Sequence, residues 1–201
     1  MLSKVLYFIR RIWLSHDEAN LLRLREFTKA RLIDIMFQPS DKVLEIGPSR
    51  SEGAVNSPVF LRYPGTYFDL KSRSVSSRFE YFDLDIDPGV NPTYLGDISK
   101  RESPLPSGVF DKIICFSVLE HIFDIQTAVD NIALALRREG ELHIITPWDL
   151  RFHGPRPDCW RISDDAYRLL LTPVFREVVI HKIPNPARPL SPVGLYVIAK
   201  K

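Results

Sequence analysis

Hydrophobic residues recur at helical spacing through residues 21–37, and Pro39 ends that pattern. Beyond Pro39 the pattern changes to short apolar runs that alternate with helical stretches. This alternation predicts an α/β fold with a mostly parallel sheet flanked by helices. We therefore expect an N-terminal helical extension over 1–39 and one main domain over 40–201.

The apolar runs predict the order of the elements in the main domain. A helix is predicted over 124–136, closed by Arg137, Arg138 and Gly140, and another over 164–171 with Ser163 as its N-cap. The predicted strands cover 42–46, 93–95, 110–117, 141–146, 175–183 and 194–200. The second strand is ambiguous, because 79–86 and 65–70 both have strand character.

The first strand leads directly into a turn of small residues that begins at Gly47 and reaches Gly53. Such a turn brings bare backbone close to a ligand, which in open α/β sheets is often nucleotide-like. Ser49 and Ser51 stand where a dinucleotide fingerprint has further glycines, and the ending of a phosphate-binding loop is absent. A simple structural turn therefore remains an equal alternative.

Acidic residues at the ends of the next strands are candidates for ligand contacts. Asp85 would end strand two and accept hydrogen bonds from ribose hydroxyls, whereas Asp69, 22 residues after Gly47, fits the usual spacing better. After the third strand, Asp97 could accept from an adenine amino group and Ile98 could cover the ring. The short path from Asp85 to Asp97 leaves little room for a helix, and we expect an insertion without regular structure before Asp85.

Composition and charge exclude several classes of protein. The chain has 201 residues, 27 Lys and Arg against 25 Asp and Glu, and two cysteines, which excludes disorder, collagen and a disulfide scaffold. A net charge of +2 without a basic stripe gives no indication of a nucleic-acid partner. Because neither cysteine has zinc-ligand or disulfide spacing, we expect a reducing, cytoplasmic environment.

The first fourteen residues combine a short apolar stretch with basic side chains. Arg10 and Arg11 interrupt the stretch, so a transmembrane helix or a secretory signal is disfavoured. A helix that packs on the main domain is favoured, and peripheral contact of residues 1–14 with anionic lipid is the alternative.

Six motifs in one order resemble class I S-adenosylmethionine-dependent methyltransferases of the Leu-Glu-His group, over residues 41–201. They are Val43-Leu44-Glu45-Ile46-Gly47, Leu84-Asp85-Ile86-Asp87-Pro88, Gly96-Asp97-Ile98, Phe110-Asp111-Lys112-Ile113-Ile114, Val118-Leu119-Glu120-His121-Ile122 and Gly140-Glu141-Leu142-His143-Ile144-Ile145-Thr146-Pro147. The resemblance implies a Rossmann-like, seven-stranded sheet, S-adenosylmethionine as cofactor, and Asp85 rather than Asp69 at the ribose.

The resemblance also implies a set of cofactor-binding residues. The turn that contains Glu45, Gly47, Ser49 and Gly53 would face the methionine part, Asp85 and Ile86 the ribose end, and Asp97 and Ile98 the adenine. Phe116 and Ser117 would lie beside the sulfonium.

Histidines in two loops are candidates for chemistry on the acceptor. His121 and His153 both lie near the predicted carboxyl edge of the sheet, where either could take a proton as the methyl group transfers. Glu120-His121 also resembles part of a Glu-x-x-Glu-His metal site of some quinone-pathway methyltransferases, but Ser117 stands at the first acidic position. We therefore expect no bound metal.

The loop 151–163 resembles a segment found in a subset of these methyltransferases. We expect Trp160 in the core, and Arg161 paired with Asp158 to fix the loop.

The leading hypothesis is a methyltransferase that acts on a small-molecule or glycan-type acceptor. The alternative is a non-catalytic methyltransferase-like binding or scaffold protein, suggested by Ser49 and Ser51. An NAD-dependent oxidoreductase is disfavoured because the second and third fingerprint glycines are missing. A nucleic-acid methyltransferase is disfavoured because the chain has neither an Asn/Asp-Pro-Pro-aromatic motif nor a basic stripe.

Overall fold

The computed structural model describes residues 16–48 and 66–201 and consists of one sheet with helices on both faces. The helices are α1 (His16–Asp34), α2 (Thr66–Ser77), α3 (Ile125–Ala135) and α4 (Asp164–Leu171). The strands are β1 (Lys42–Ile46), β2 (Glu80–Asp85), β3 (Tyr94–Leu95), β4 (Phe110–Phe116), β5 (Leu136–Pro147), β6 (Glu177–Ile183) and β7 (Gly194–Lys200).

The strand order is β3-β2-β1-β4-β5-β7-β6. Neighbours from β3 to β5 are parallel, whereas β7 is antiparallel to both β5 and β6. This confirms the predicted Rossmann-like, mostly parallel seven-stranded sheet. Because β1, β2, β3, β4 and β5 run in one direction, the loops that follow them meet at one edge, where open α/β sheets bind ligands.

Alternate residues of the central strands supply the two cores. Leu44 and Ile46 of β1 pack on the face covered by α3 and α4. Val43 packs on the other face with α1, which contributes Leu24 and Leu32. Both faces of β1 are covered, which explains why the adjacent residues Val43 and Leu44 are both apolar instead of alternating with polar ones.

Two predictions about the second strand are decided by the structure. Glu80–Asp85 is the strand beside β1, with Leu84 paired to Ile46, so Asp85 ends strand two. Residues 66–70, predicted as a competing strand, belong to α2, so Asp69 lies in a helix. The helix forms because it buries Leu70 completely against the sheet, which outweighs the strand propensity of Thr, Tyr and Phe. The predicted insertion therefore contains regular structure.

Two boundaries also differ from the prediction. Helix α1 ends at Asp34, before Phe37 and Pro39. Strand β5 begins at Leu136 instead of Glu141, because the backbone becomes extended at Leu136 and pairs there with Phe110. Gly140 consequently lies within β5 and does not close the preceding helix.

Other elements match the prediction within a few residues. The path from Asp85 to Asp97 contains only a single 3-10 turn, Pro88–Val90, and β3, as the short spacing implied. Ser163 caps α4 by accepting a hydrogen bond from the Ala166 N–H. No helix in the described segments has the length and apolar character needed to cross a membrane. Residues 1–14, predicted as a helix that packs on the domain or contacts lipid, lie outside the described residues.

Candidate functional site

The turn after β1 depends on Gly47. Its φ is +65°, in the left-handed region that favours glycine, and a Cβ on it would lie 2.7 Å from Val118 Cγ2. Its N–H donates to the Leu84 carbonyl at 2.9 Å, which holds the ends of β1 and β2 together. The backbone thus packs closely against the loop after β4, the predicted approach to a ligand stays a prediction, and Ser49 and Gly53 lie outside the described residues.

Asp85 lies at the carboxyl edge, next to this turn. Its Oδ1 accepts a hydrogen bond from the Asp87 N–H at 2.9 Å, and Oδ2 has no partner among the described residues. The Asp87 side chain in turn accepts from the Gly89 N–H, which forms a tight turn. Ile86 is 70% exposed, so an apolar surface lies beside a carboxylate oxygen that can accept further hydrogen bonds.

The other predicted cofactor residues differ in their accessibility. Glu45 is buried, and its carboxylate accepts from the Tyr81 hydroxyl at 2.6 Å. Asp97 accepts at Oδ1 from both the N–H and the hydroxyl of Ser99. Ile98 packs in the hydrophobic core and is only 3% exposed, so little of its side chain could cover an adenine ring.

At the end of β4, Phe116 and Ser117 differ in their exposure to solvent. Phe116 is buried and packs edge-on against Tyr196. Ser117 is exposed, has a φ of +55°, and donates its N–H to the Ile145 carbonyl at 2.7 Å. Gly47, Asp85, Asp97 and Ser117 therefore follow four neighbouring strands at one edge of the sheet.

A buried carboxylate lies just beyond Ser117. Glu120 belongs to the 3-10 turn Leu119–His121, and neither of its carboxylate oxygens has a hydrogen-bond partner among the described residues. Burial raises the pKa of Glu120 to about 8. Its backbone carbonyl accepts from the N–H groups of Cys159 and Trp160, which joins the turn to the loop after β5.

The structure brings His121 and His153 together around Glu120. Their ring centroids are 5.0 Å apart, and each Nε2 lies within 4 Å of Glu120 Oε1. His121 Nδ1 lies 2.8 Å from the Pro157 carbonyl, and His153 Nδ1 lies 3.1 Å from Asp158 Oδ2. Burial lowers the pKa of His153. Both rings therefore have one nitrogen engaged and the other turned towards the same carboxylate.

Arg161 fixes this loop, as the sequence predicted. Its NH1 and NH2 groups bind the two oxygens of Asp158 at 2.6 and 3.0 Å. The remaining donors reach the carbonyls of Leu150, Arg151 and Trp160. The paired guanidinium holds the pKa of Asp158 well below its usual range.

Trp160 is not in the core, contrary to the prediction. It is 39% exposed, stacks on Phe123 with ring centroids 5.9 Å apart, and donates its indole N–H to the Ile122 carbonyl. The indole thus satisfies its donor at the surface instead of in the interior. Because Phe123 is 78% exposed, the pair forms an aromatic surface beside the histidines.

A second histidine–carboxylate pair at this edge was missed by the sequence analysis. His16 Nε2, at the start of α1, lies 2.9 Å from Asp149 Oδ2, and Asn185 Nδ2 donates to the same oxygen at 2.8 Å. Asn20 donates to the Asp149 backbone carbonyl. The only available signal was that Asp149 follows a strand end, since nothing in the sequence links it to His16.

The sequence was compared with models of protein families and with curated proteins. A family model described as a methyltransferase domain matches residues 77–144. A comparison with curated proteins finds no match. The matched segment begins at the last residue of α2 and extends into β5, so it includes Asp85, Asp97 and the Glu120 turn.

Solved structures resemble the fold over most of the chain. A methyltransferase from Archaeoglobus fulgidus superposes with a TM-score of 0.65 at 16% identity, over 88% of this chain and 94% of that one. A methyltransferase from Aquifex aeolicus gives 0.56 at 16% identity, over 92% and 93%.

A phosphoethanolamine N-methyltransferase from Haemonchus contortus, solved with S-adenosyl-L-methionine, gives 0.62 at 9% identity, over 87% of this chain and 52% of that one. With the family-model match, these superpositions confirm the predicted resemblance to class I methyltransferases.

Proposed function

We propose that the protein is an S-adenosylmethionine-dependent methyltransferase that acts on a small-molecule or glycan-type acceptor. The methyltransferase-domain match and the fold support the reaction class and the cofactor. The observation that carries the site assignment is the pairing of Gly47 with Asp85. The glycine turn after β1 is hydrogen-bonded to β2 one residue before a carboxylate whose Oδ2 has no partner within residues 16–48 and 66–201.

The residues present fit this cofactor. Asp85 Oδ2 can accept from ribose hydroxyls, and the Gly47 turn lies at the end of the adjacent strand. Exposed Ile86 is the apolar side chain that we assign to the adenine face, whereas buried Ile98 anchors the loop that carries Asp97. We assign Ser117, which is exposed at the end of β4, to the side of the site nearest the sulfonium, with Phe116 packed beneath it.

The methionine end is assigned to the turn that follows Glu45. Glu45 is buried and bonded to Tyr81, so we infer that it holds the base of this turn, and that Ser49 and Gly53 extend it around the cofactor. Ser49 and Ser51 stand where further glycines are common, which narrows the choice of backbone conformations in this segment, and the affinity for the cofactor tests whether the turn still accommodates it.

The acceptor is proposed to bind between α1 and the loops after β5 and β6. S-adenosylmethionine held by Gly47 and Asp85 would supply an electrophilic methyl group to the acceptor heteroatom. Holding the two in line supplies much of the rate enhancement. The surrounding chain needs to orient the acceptor and take its proton.

We assign to His16 the role of accepting the proton that the acceptor loses. Its ring is about one third exposed and its Nε2 contacts Asp149, a carboxylate that stabilises the imidazolium formed on protonation. His121 and His153, the candidates from the sequence, suit this role less well. In each ring one nitrogen is engaged and the other faces Glu120.

A cytoplasmic, reducing environment is part of the proposal. Cys115 and Cys159 are both free thiols, and Cys115 is buried. No nucleic-acid partner is proposed, and contact of residues 1–14 with a lipid surface remains the alternative to packing on the domain.

Methyl transfer can be measured with S-adenosylmethionine that carries an isotope-labelled methyl group. The purified protein would be incubated separately with pools of phenols, pools of amines and pools of oligosaccharides, followed by mass spectrometry. We expect label in one pool, a reduction of about 100-fold in His16→Gln, and no change in His181→Gln, an exposed histidine outside the site. Tight cofactor binding without transfer to any pool would instead favour the non-catalytic binding protein.

A further inference from the structure

The buried carboxylate of Glu120 has no hydrogen-bond partner among the described residues. Its side chain is completely shielded from solvent, and both oxygens are without a hydrogen bond in the described part of the chain. Isolated buried charges are strongly unfavourable, so such groups are normally paired or bind a metal. The carboxylate therefore requires a proton or a cation, and no described side chain forms a hydrogen bond with it.

The positive charge of Arg161 acts on Glu120, but the donors of this side chain are already used. The five N–H groups of a guanidinium are matched by five hydrogen bonds, two to Asp158 and one each to the carbonyls of Leu150, Arg151 and Trp160. Arg161 and Asp158 cancel each other in charge. One negative charge remains on ionised Glu120, facing two imidazoles.

Both imidazoles are oriented as metal ligands usually are. His121 Nδ1 is 2.8 Å from the Pro157 carbonyl, and His153 Nδ1 is 3.1 Å from Asp158 Oδ2. These acceptors favour the tautomer with hydrogen on Nδ1 in each ring, which leaves a lone pair on Nε2. Ligating histidines almost always donate their other N–H to a carbonyl or a carboxylate in this way.

The two Nε2 lone pairs converge on Glu120. The Nε2 atoms of His121 and His153 lie 3.9 and 3.8 Å from Glu120 Oε1, and one ligand atom from each of the three residues lies within 4.8 Å of the others. With metal–ligand bonds of about 2.1 Å, tetrahedral ligand atoms are about 3.4 Å apart. Rotations that move these atoms by about 0.7 Å each would close the set around one ion.

We propose that Glu120, His121 and His153 bind a divalent transition-metal ion. Two imidazoles and one carboxylate suit zinc or iron(II) better than calcium or magnesium, which prefer oxygen ligands. The expectation of no metal rested on Ser117 at the missing acidic position. The third ligand instead comes from His153, in the loop after β5.

The ion would have two consequences. It ties the Leu119–His121 turn to the loop that carries His153, and three protein ligands leave at least one coordination position for water or an acceptor heteroatom. The inference does not depend on the proposed methyltransferase activity, because metal binding can be measured without cofactor or acceptor.

Calorimetric titration with Zn²⁺ and visible absorption with Co²⁺ test the site at a pH where the histidines are neutral. We expect one ion per chain, Co²⁺ d–d bands, and a higher melting temperature with Zn²⁺. His153→Gln should weaken Zn²⁺ binding by about 100-fold or more. His181→Gln, which removes a histidine outside the cluster, should bind as the wild type does.

Glu120→Gln distinguishes a metal from a proton. If an ion neutralises the carboxylate, this variant loses metal binding, and its melting temperature no longer responds to Zn²⁺. If Glu120→Gln fails to fold, His153→Gln replaces it as the test. Circular dichroism first confirms that His153→Gln is folded, and its Zn²⁺ affinity then shows whether the cluster binds the ion. The proposal is overturned if folded wild-type protein takes up no Zn²⁺, Co²⁺, Mn²⁺ or Fe²⁺ at about 100 µM, or if binding persists unchanged in His153→Gln.

Discussion

Replacing Gly47 by alanine tests the close approach between the turn after β1 and the loop after β4. Two costs add at this position. The backbone has a φ of +65°, where a side chain costs about 1–2 kcal/mol. The new Cβ would also lie 2.7 Å from Val118 Cγ2, and overpacking of this kind costs about 1–3 kcal/mol. We expect a total loss of about 3 kcal/mol in the free energy of unfolding.

Gly108 provides a matched control. Its φ is +67°, but nothing lies within 4 Å of the position a Cβ would occupy. Gly108→Ala therefore carries only the backbone cost, about 1–2 kcal/mol. The difference between the two variants measures the contact with Val118, and Gly47→Ala should also weaken cofactor binding by displacing that side chain.

Urea unfolding of both variants, followed by circular dichroism, gives the two free energies. A double-mutant cycle of Gly47→Ala with Val118→Ala should recover about 1–2 kcal/mol as coupling, since the smaller side chain relieves the collision. Equal losses in Gly47→Ala and Gly108→Ala, with no coupling to Val118, would refute the reasoning.

Two further predictions concern charged groups. Asp158→Asn breaks the bidentate pair with Arg161 and should lower the free energy of unfolding by about 3 kcal/mol. Glu139→Gln, in the exposed pair with Arg176, should lower it by less than about 1 kcal/mol. Similar losses for the two variants in urea unfolding would contradict this difference. The His143 imidazole and the Lys112 ammonium lower the pKa of Glu141 from 4.5 to about 2. The contribution of Glu141 to the free energy of unfolding is therefore complete above its pKa in the unfolded chain, and it is lost as the pH falls towards its pKa in the folded protein. Unfolding at about pH 5 and about pH 3 should show a smaller decrease in Glu141→Gln than in the wild type, and parallel decreases would exclude this role.

The parts of the fold that could be predicted from the sequence are those with local signals. Val43 and Leu44 are adjacent apolar residues because both faces of β1 are covered, and Ser163 before two acidic residues identifies the start of α4. The competing segment around Leu70 was misread because its residue types favour strands. Burial of Leu70 against the sheet depends on tertiary packing, which local propensity does not contain.

The site was predictable only in part, because some of its contacts also depend on tertiary packing. Asp85 and Gly47 follow adjacent strands, so their proximity follows from the topology. His153 reaches Glu120 from 33 positions away, and His16 contacts Asp149 from 133 positions away. Both contacts depend on how loops and α1 fold back over the sheet edge, and the exposure of Trp160 depends on the same loop.

Calorimetric titration with S-adenosylmethionine tests the central claim, that the edge formed by Gly47 and Asp85 binds this cofactor. The account predicts micromolar binding by the wild type, a loss of about 100-fold in Asp85→Asn from two missing charge-assisted hydrogen bonds, and unchanged binding in Asp69→Asn. Absence of binding by the wild type at millimolar cofactor, or equal affinity in Asp85→Asn, would contradict it.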